Sequence, residues 1–388
     1  MSRLPDHFTQ LQVTPELETG GAEQTTLDMA AAVVRAGGRA LVASHGGRMA
    51  DSLIELGGEL FAMPVQSKNP LTMAVNAARL AMLIRSQKVS LIHARSRAPA
   101  FSALLAARMT GVPFIATYHG VYEAKSGLKR WYNSVMTQGA AVIANSDYTR
   151  AHILAEHHLD PARVVAIARG VDLTRFDPAM VTPARLELLR ESFGVAADDP
   201  RIKILLAGRL TRWKGQQLLI DAVARLRGQG RDDFLVLLVG DDQGRLGYRG
   251  ELIAAIAATG LEKQVRLLGH CNDMPAAYLL ADIVVAPSLK PEPFGRTAVE
   301  PQMMGRPVLA ADHGATRETV ADGQTGWLVP PGDVSAWAKA LARAMALTPD
   351  QRHAIGQAGA ERARRLYSVD AMCEATLEVY ARVLEARP

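Results

Sequence analysis

Short apolar runs alternate along this chain with longer segments of helical pattern. A short strand-like stretch at 9–14 (TQLQVT) comes first, and the runs lie at 40–44, 91–94, 114–118 and 141–145, then at 203–207, 234–240, 265–268, 282–287 and 307–311. Runs this short are strands, and parallel strands covered on both faces read as nearly continuous apolar stretches with helices between them. The pattern predicts an α/β chain built on doubly wound parallel sheets. A polar, proline-bearing stretch divides the runs into two sets, which predicts a domain at 1–170, a linker at 171–199 and a second domain at 200–367. With 388 residues, 48% of them hydrophobic, each half can fill its own core.

In open sheets of this kind ligands collect at the carboxyl ends of the strands, so the loops after the runs are where chemistry belongs. The richest such region spans Ser288–Asp333 and begins SLKPEPFGRTAVEPQMMGRPVLAADHGATRETV. It sets Glu292 and Glu300 around a Pro-Phe-Gly corner with seven residues between them. Glycine and proline open the backbone to close ligand approach. The first turn of the helix that follows offers unpaired N–H groups to an anion, and each carboxylate can accept two hydroxyl hydrogen bonds. The chemistry that fits is a polyol carrying phosphate.

No D-x-D pair occurs in the chain, and Cys271 and Cys373 stand apart in no C-x-x-C or Cys/His cluster, so neither a metal site nor a disulfide framework is expected. Gly240-Asp241-Asp242 reads as a solvent loop, because adjacent carboxylates point apart. No apolar run reaches the length of a membrane span, and MSRLPDHF lacks the apolar core of a signal peptide. A cytoplasmic protein is expected, with room for peripheral contact to the inner face of the cytoplasmic membrane.

The E-x7-E pair, the GRL…KG segment at Gly208–Gly215 and the TGWLVPPGD tail at Thr325–Asp333 resemble the carboxyl-terminal half of glycosyltransferase family 4. The resemblance implies the GT-B fold, two Rossmann-like doubly wound domains facing across a cleft, and a retaining transferase that uses a nucleotide-diphosphate sugar as substrate. It also implies a last helix at 368–388 that crosses back to the first domain. By the same resemblance Arg209 and Lys214 take the charge of the donor diphosphate, a task left to side-chain cations and helix termini where no metal is held. Glu292 accepts bonds from donor-sugar hydroxyls, the backbone at Phe294, Gly295 and Arg296 approaches sugar and phosphate, Gly269 brackets the base, and Glu300 grips the ribose. Pro301 departs from the family pattern, removes one helical hydrogen bond and puts a tilt on Glu300 in question.

The amino-terminal half resembles the family more loosely. After the strand at 9–14, Gly20-Gly21 opens a helix, a geometry suited to phosphate approach; a plain tight turn is the competing reading. His119, paired with Gly120 after the run at 114–118, matches a family histidine that reaches the donor sugar, against the alternative of a structural histidine capping a strand. The RGVDLTRFDP segment matches the family's N-G-V-D linker with Arg169 where asparagine is usual.

Residues 1–170 hold 17 Lys and Arg against 12 Asp and Glu, while the remainder holds 27 of each, so the net charge of +5 belongs to the first half. A basic half suits an anionic glycolipid, an anionic oligosaccharide or a membrane surface; an arginine-rich surface of no special purpose accounts for it equally. Arg95 and Arg97 at a strand end, and Lys125, Lys129 and Arg130 in KSGLKRWY, are the candidate acceptor-binding residues, with solvated arginines and a basic helix packing its aromatics on the core as the duller readings. The segments HARSRAPA and YHGVYEAKSGLKRWY look most like bacterial enzymes that build the lipopolysaccharide core. Aromatics at 5% leave a nucleic-acid interface poorly supported. A sugar-nucleotide epimerase of the same architecture and a non-catalytic sugar-nucleotide or glycolipid-binding protein are the alternatives; a dehydrogenase is disfavoured for want of G-x-G-x-x-G.

Overall fold

The computed structural model describes residues 4–18, 20–124, 126–244 and 246–386. The chain forms two compact units, one of residues up to Gly170 together with those from Val369 onward, the other Val171–Ser368.

The first unit carries a seven-stranded sheet of β1 (Thr9–Val13), β2 (Arg39–Ser44), β3 (Glu59–Ala62), β4 (Leu91–Ala94), β5 (Phe114–Tyr118), β6 (Ala141–Ala144) and β7 (Val164–Ala166), in the order β3-β2-β1-β4-β5-β6-β7. Every pairing is parallel. Strand periodicity sorts the side chains onto two faces. Leu11, Val13, Leu41, Ala43, Ile92 and Ala94 enter one core, while Val42, Leu91, Ile115 and Ile143 enter the other, beneath the first helix (Gly21–Arg35) and the last (Val369–Glu385). That second face also carries polar residues. Tyr380 on the last helix accepts from Gln10 and lies 2.6 Å from His93 Nδ1, and His93 Nε2 lies 2.7 Å from Thr117 Oγ1. The last helix thus completes the first unit by satisfying polar groups of its central strands.

The second unit holds β8 (Ile202–Ala207), β9 (Phe234–Val239), β10 (Val265–Gly269), β11 (Ile283–Ala286), β12 (Val308–Ala311) and β13 (Gly326–Val329) in the order β10-β9-β8-β11-β12-β13, again all parallel.

Residues 171–199 are not a free linker. Val171 N–H donates to Tyr367 O, the helix Pro183–Ser192 buries Leu189, and Phe193 and Val195 are buried after it. Arg185 is clamped on Asp273, the residue that caps the helix Met274–Leu280. Pro183 at the first helical position starts this helix rather than breaking the chain, which is why a proline-bearing stretch folds into the unit. Among the described residues no helix is long and apolar enough to cross a membrane.

Candidate active site

Each sheet reverses its winding once, between β1 and β4 in the first unit and between β8 and β11 in the second. Such switch points open a crevice at the carboxyl ends of the flanking strands. In the second unit the two loops that meet there carry Arg209 and Lys214 after β8, and Ser288–Gly295 after β11. Lys214 Nζ lies 2.6 Å from Glu292 Oε1, and Ser288 Oγ donates to the same oxygen at 2.7 Å. The pair is largely shielded, with side-chain exposures of 13% and 9%. Lys214 also stands 4.4 Å from the centroid of the Trp213 ring, and Leu289 N–H donates to Trp213 O, which ties the two loops together. Gly215 is required here: its φ is +79°, and a Cβ would lie 2.0 Å from Pro287 O. Arg209 is exposed, with one long bond of 3.4 Å to Gln243.

Glu292 is fixed through its backbone as well. It forms an isolated parallel bridge with Gly314, and its carbonyl accepts from Ala315 N–H. Gly295, at φ +83°, caps the helix Arg296–Met303 and turns the chain into it. Phe294 is buried against Tyr367. Glu300 on that helix accepts from Tyr278 OH at 3.0 Å and from Arg296 Nε at 2.7 Å. Burial and the Glu300 charge push the Tyr278 phenol well above its ordinary pKa, so it stays a donor. Pro301 does not break the helix, which runs on to Met303; it forfeits only its own bond, and Glu300 keeps both partners. Gly269 ends β10 exposed, with its carbonyl accepting from Gly240 N–H.

In the first unit Gly20 and Gly21 stand at the N-terminus of the first helix, His119 follows β5 and Arg169 follows β7. Arg169 Nη2 lies 3.3 Å from His119 Nδ1. A Cβ on Gly21 would sit 3.0–3.2 Å from the Arg169 guanidinium, so glycine there makes room for an arginine of the chain itself. At Gly20 the atoms nearest a Cβ would be those of the Glu23 carboxylate, the far end of a flexible side chain. Burial, then the charges of Arg169 and Arg95, hold the His119 pKa well below the usual histidine value. Its Nε2 is enclosed and has no hydrogen-bond partner among the described residues.

The family described as Glycosyltransferase Family 4 matches residues 19–175, and the one described as Glycosyl transferases group 1 matches residues 189–362. A glycosyltransferase from Rickettsia africae ESF-5 of known crystal structure is 33% identical to this chain, with a TM-score of 0.90 over 99% of it and 100% of the Rickettsia chain. The chain belongs to glycosyltransferase family 4. The D-inositol 3-phosphate glycosyltransferase of Salinispora tropica is 33% identical over 297 residues, 71% of this chain and 60% of that protein, so the chain spans less than two thirds of that relative's length. The Anabaena protein Alr3699/HepE, crystallised with UDP and glucose, is 25% identical, with a TM-score of 0.80 over 97% of this chain and 100% of that one.

The basic residues of this family 4 chain do not share one surface. Arg95 is 2% exposed, and its Nε and Nη2 both donate to Gln12 Oε1 inside the first unit. It is a structural arginine that does not face an acceptor, because β4 is a central strand whose end lies beneath the covering helices. Arg97 is half-buried, held by Asn133 Oδ1 at 2.8 Å and stacked 4.1 Å from the Tyr122 centroid. Lys129 and Arg130 are exposed on the short helix Gly127–Ser134, Arg130 pairing with Glu156 at 3.4 Å; Lys125 lies outside the described residues. The same helix exposes 76% of Leu128 and 63% of Trp131.

Tyr278, whose hydroxyl holds Glu300, lies in no motif, while Ser288, Gly314 and Arg169 lie in the segments singled out above without any sign there of the partners they meet.

Proposed function

We propose that this chain is a retaining glycosyltransferase that takes a hexose from a nucleotide-diphosphate sugar bound by the second unit and transfers it to an anionic, sugar-bearing acceptor recognised by the first. The observation that carries the reading is the Lys214–Glu292–Ser288 cluster at the second sheet's switch point. As the glycosidic bond breaks, charge accumulates on the departing diphosphate, and preorganised cations stabilise that charge more than they stabilise the bound donor. Lys214, already neutralising a shielded carboxylate, is placed to shift toward phosphate; Arg209 belongs to the same loop after β8, and the helix Arg296–Met303 starts where the Glu292 loop ends. Only Oε1 of Glu292 is engaged among the described residues, which leaves Oε2 to accept a sugar hydroxyl. With these groups in place the transfer needs no metal ion. Retention is the outcome that the E-x7-E resemblance implies.

UDP-glucose is the first donor to test, since the Anabaena relative was crystallised with UDP and glucose. Relatives named for D-inositol 3-phosphate favour a phosphate-bearing polyol as the acceptor class, and a glycolipid of the lipopolysaccharide core belongs to that class too. The exposed Leu128 and Trp131 beside Lys129 and Arg130 support work at the inner face of the cytoplasmic membrane, where apolar insertion and anionic headgroups act together.

The test is a melting screen with UDP, GDP, ADP and their sugars, followed by transfer of labelled hexose to a phosphorylated glycolipid, its neutral analogue and inositol phosphate. A UDP-dependent rise in melting temperature, and transfer to an anionic acceptor that survives EDTA, are expected. No stabilisation by any of these nucleotides, or activity lost to EDTA and restored by magnesium, would refute the proposal.

A further inference from the structure

A guanidinium has five donors and no acceptor, so the contact between Arg169 Nη2 and His119 Nδ1 has only one chemical sense. The arginine donates, and Nδ1 must be bare. The single proton of the neutral ring is then on Nε2, because the hydrogen bond at one imidazole nitrogen decides which tautomer the other presents. That nitrogen is the enclosed one without a partner among the described residues. A buried N–H with no acceptor is costly to keep, and it points to a ligand oxygen as its intended partner.

The arginine is itself held in register. Gly170, the next residue, packs so tightly against the start of the last helix that a Cβ would come within 2.5 Å of Val369 Cα, and its N–H reaches Met372 Sδ. On the other side Gly21 leaves the space that the guanidinium occupies. A side chain at Gly170 would strike the backbone of the last helix, and one at Gly21 would crowd the guanidinium itself.

We propose that Arg169 is a positioning residue for His119: it fixes the Nε2–H tautomer and so presents a hydrogen-bond donor to a substrate oxygen beside the N-terminus of the first helix. This rests on the proposed transferase function and on the resemblance by which His119 matches a family histidine that reaches the donor sugar. The depressed pKa of the ring agrees with a permanently neutral donor.

The experiment compares the unaltered 388-residue chain with Arg169→Met, which removes the donor but keeps the bulk, Arg169→Lys, which retains a donor, and His119→Gln, which also assigns the His119 resonances in a ¹⁵N-histidine spectrum. At pH 7.5 the wild type should show His119 with bare Nδ1 and protonated Nε2. Arg169→Met should shift that signature toward mixed tautomers and lower kcat by about tenfold, the scale of one well-placed hydrogen bond. Arg169→Lys should recover part of both. The double variant with His119→Gln should be no slower than His119→Gln alone, since the arginine acts through the histidine. A wild-type His119 that is charged or protonated on Nδ1, an unchanged signature in Arg169→Met, or losses that multiply in the double variant would overturn the assignment. The spectrum reads the tautomer without turnover, so an enzyme that transfers no sugar but shows the expected tautomer fails the functional proposal alone.

Discussion

Replacing Lys214 by Met separates what the ion pair does for folding from what it does for transfer. The substitution leaves the shielded Glu292 carboxylate with Ser288 as its one side-chain partner among the described residues. Removing one partner of a buried pair costs about 3–5 kcal/mol, and the narrow opening to water here argues for the low end, about 3 kcal/mol. For a unit of about 200 residues, at about 2–4 °C per kcal/mol, that is a fall of roughly 6–12 °C in the melting of the second unit. Turnover should fall by ~10²-fold or more, the scale of losing one preorganised electrostatic group. Adding Glu292→Gln should restore most of the melting temperature, because the stranded charge disappears, and none of the turnover. Calorimetry and steady-state kinetics on the two variants read both quantities. If the double variant melts as low as Lys214→Met, the desolvated carboxylate is not the source of the cost; if Lys214→Met keeps near-normal turnover, the cation plays no part in transfer.

Arg209→Ala should lower turnover by ~10²-fold with little change in melting, since among the described residues this exposed side chain has one long bond to lose; a large drop in melting would show a structural role instead. His93 and His119 should make the first unit sensitive to acid. Burial is the main cause that lowers both pKa values, with Arg95 and His119 adding to it at His93, and Arg169 and Arg95 at His119. The unfolded chain takes up protons near its ordinary value of 6.5 while the folded chain does not, so stability is intact above that pH and falls as the pH drops below it, by at most ~1.4 kcal/mol per pH unit for each histidine. Urea unfolding at pH 7.5 and 5.5 should show the loss, and His119→Gln should shrink it; equal stability at the two values would contradict the buried neutral state. Neutralising Lys129 and Arg130 should weaken salt-sensitive binding to anionic vesicles, and Trp131→Ala should weaken it at all salt concentrations, while UDP binding stays unchanged. Vesicle flotation checks this, and equal binding to neutral vesicles would count against an electrostatic surface.

The sequence alone determined the two parallel sheets, because strands buried on both faces are mostly apolar and strands joined by covering helices run parallel. It also set Lys214, Glu292 and Gly295 in the loops after β8 and β11, since they directly follow the two apolar runs that form those strands. Partnership was decided elsewhere. TQLQVT alternates like a strand with one wet face, yet Gln10 and Gln12 are fully buried, because a helix some 370 residues away in sequence delivers the Tyr380 hydroxyl to Gln10. Arg95 carries the same residue type as Arg97, and only the depth of its strand turns it inward to Gln12. Residues 171–199 look like a linker by composition, and the contacts of Arg185, Leu189 and Phe193 make them part of the second unit. Arg169 and Gly21 lie far apart in the chain, and neither has a readable purpose until the fold sets one against the other, beside His119. Local pattern encodes burial and direction along the chain; which polar groups meet depends on distances between segments, and only the folded packing sets those.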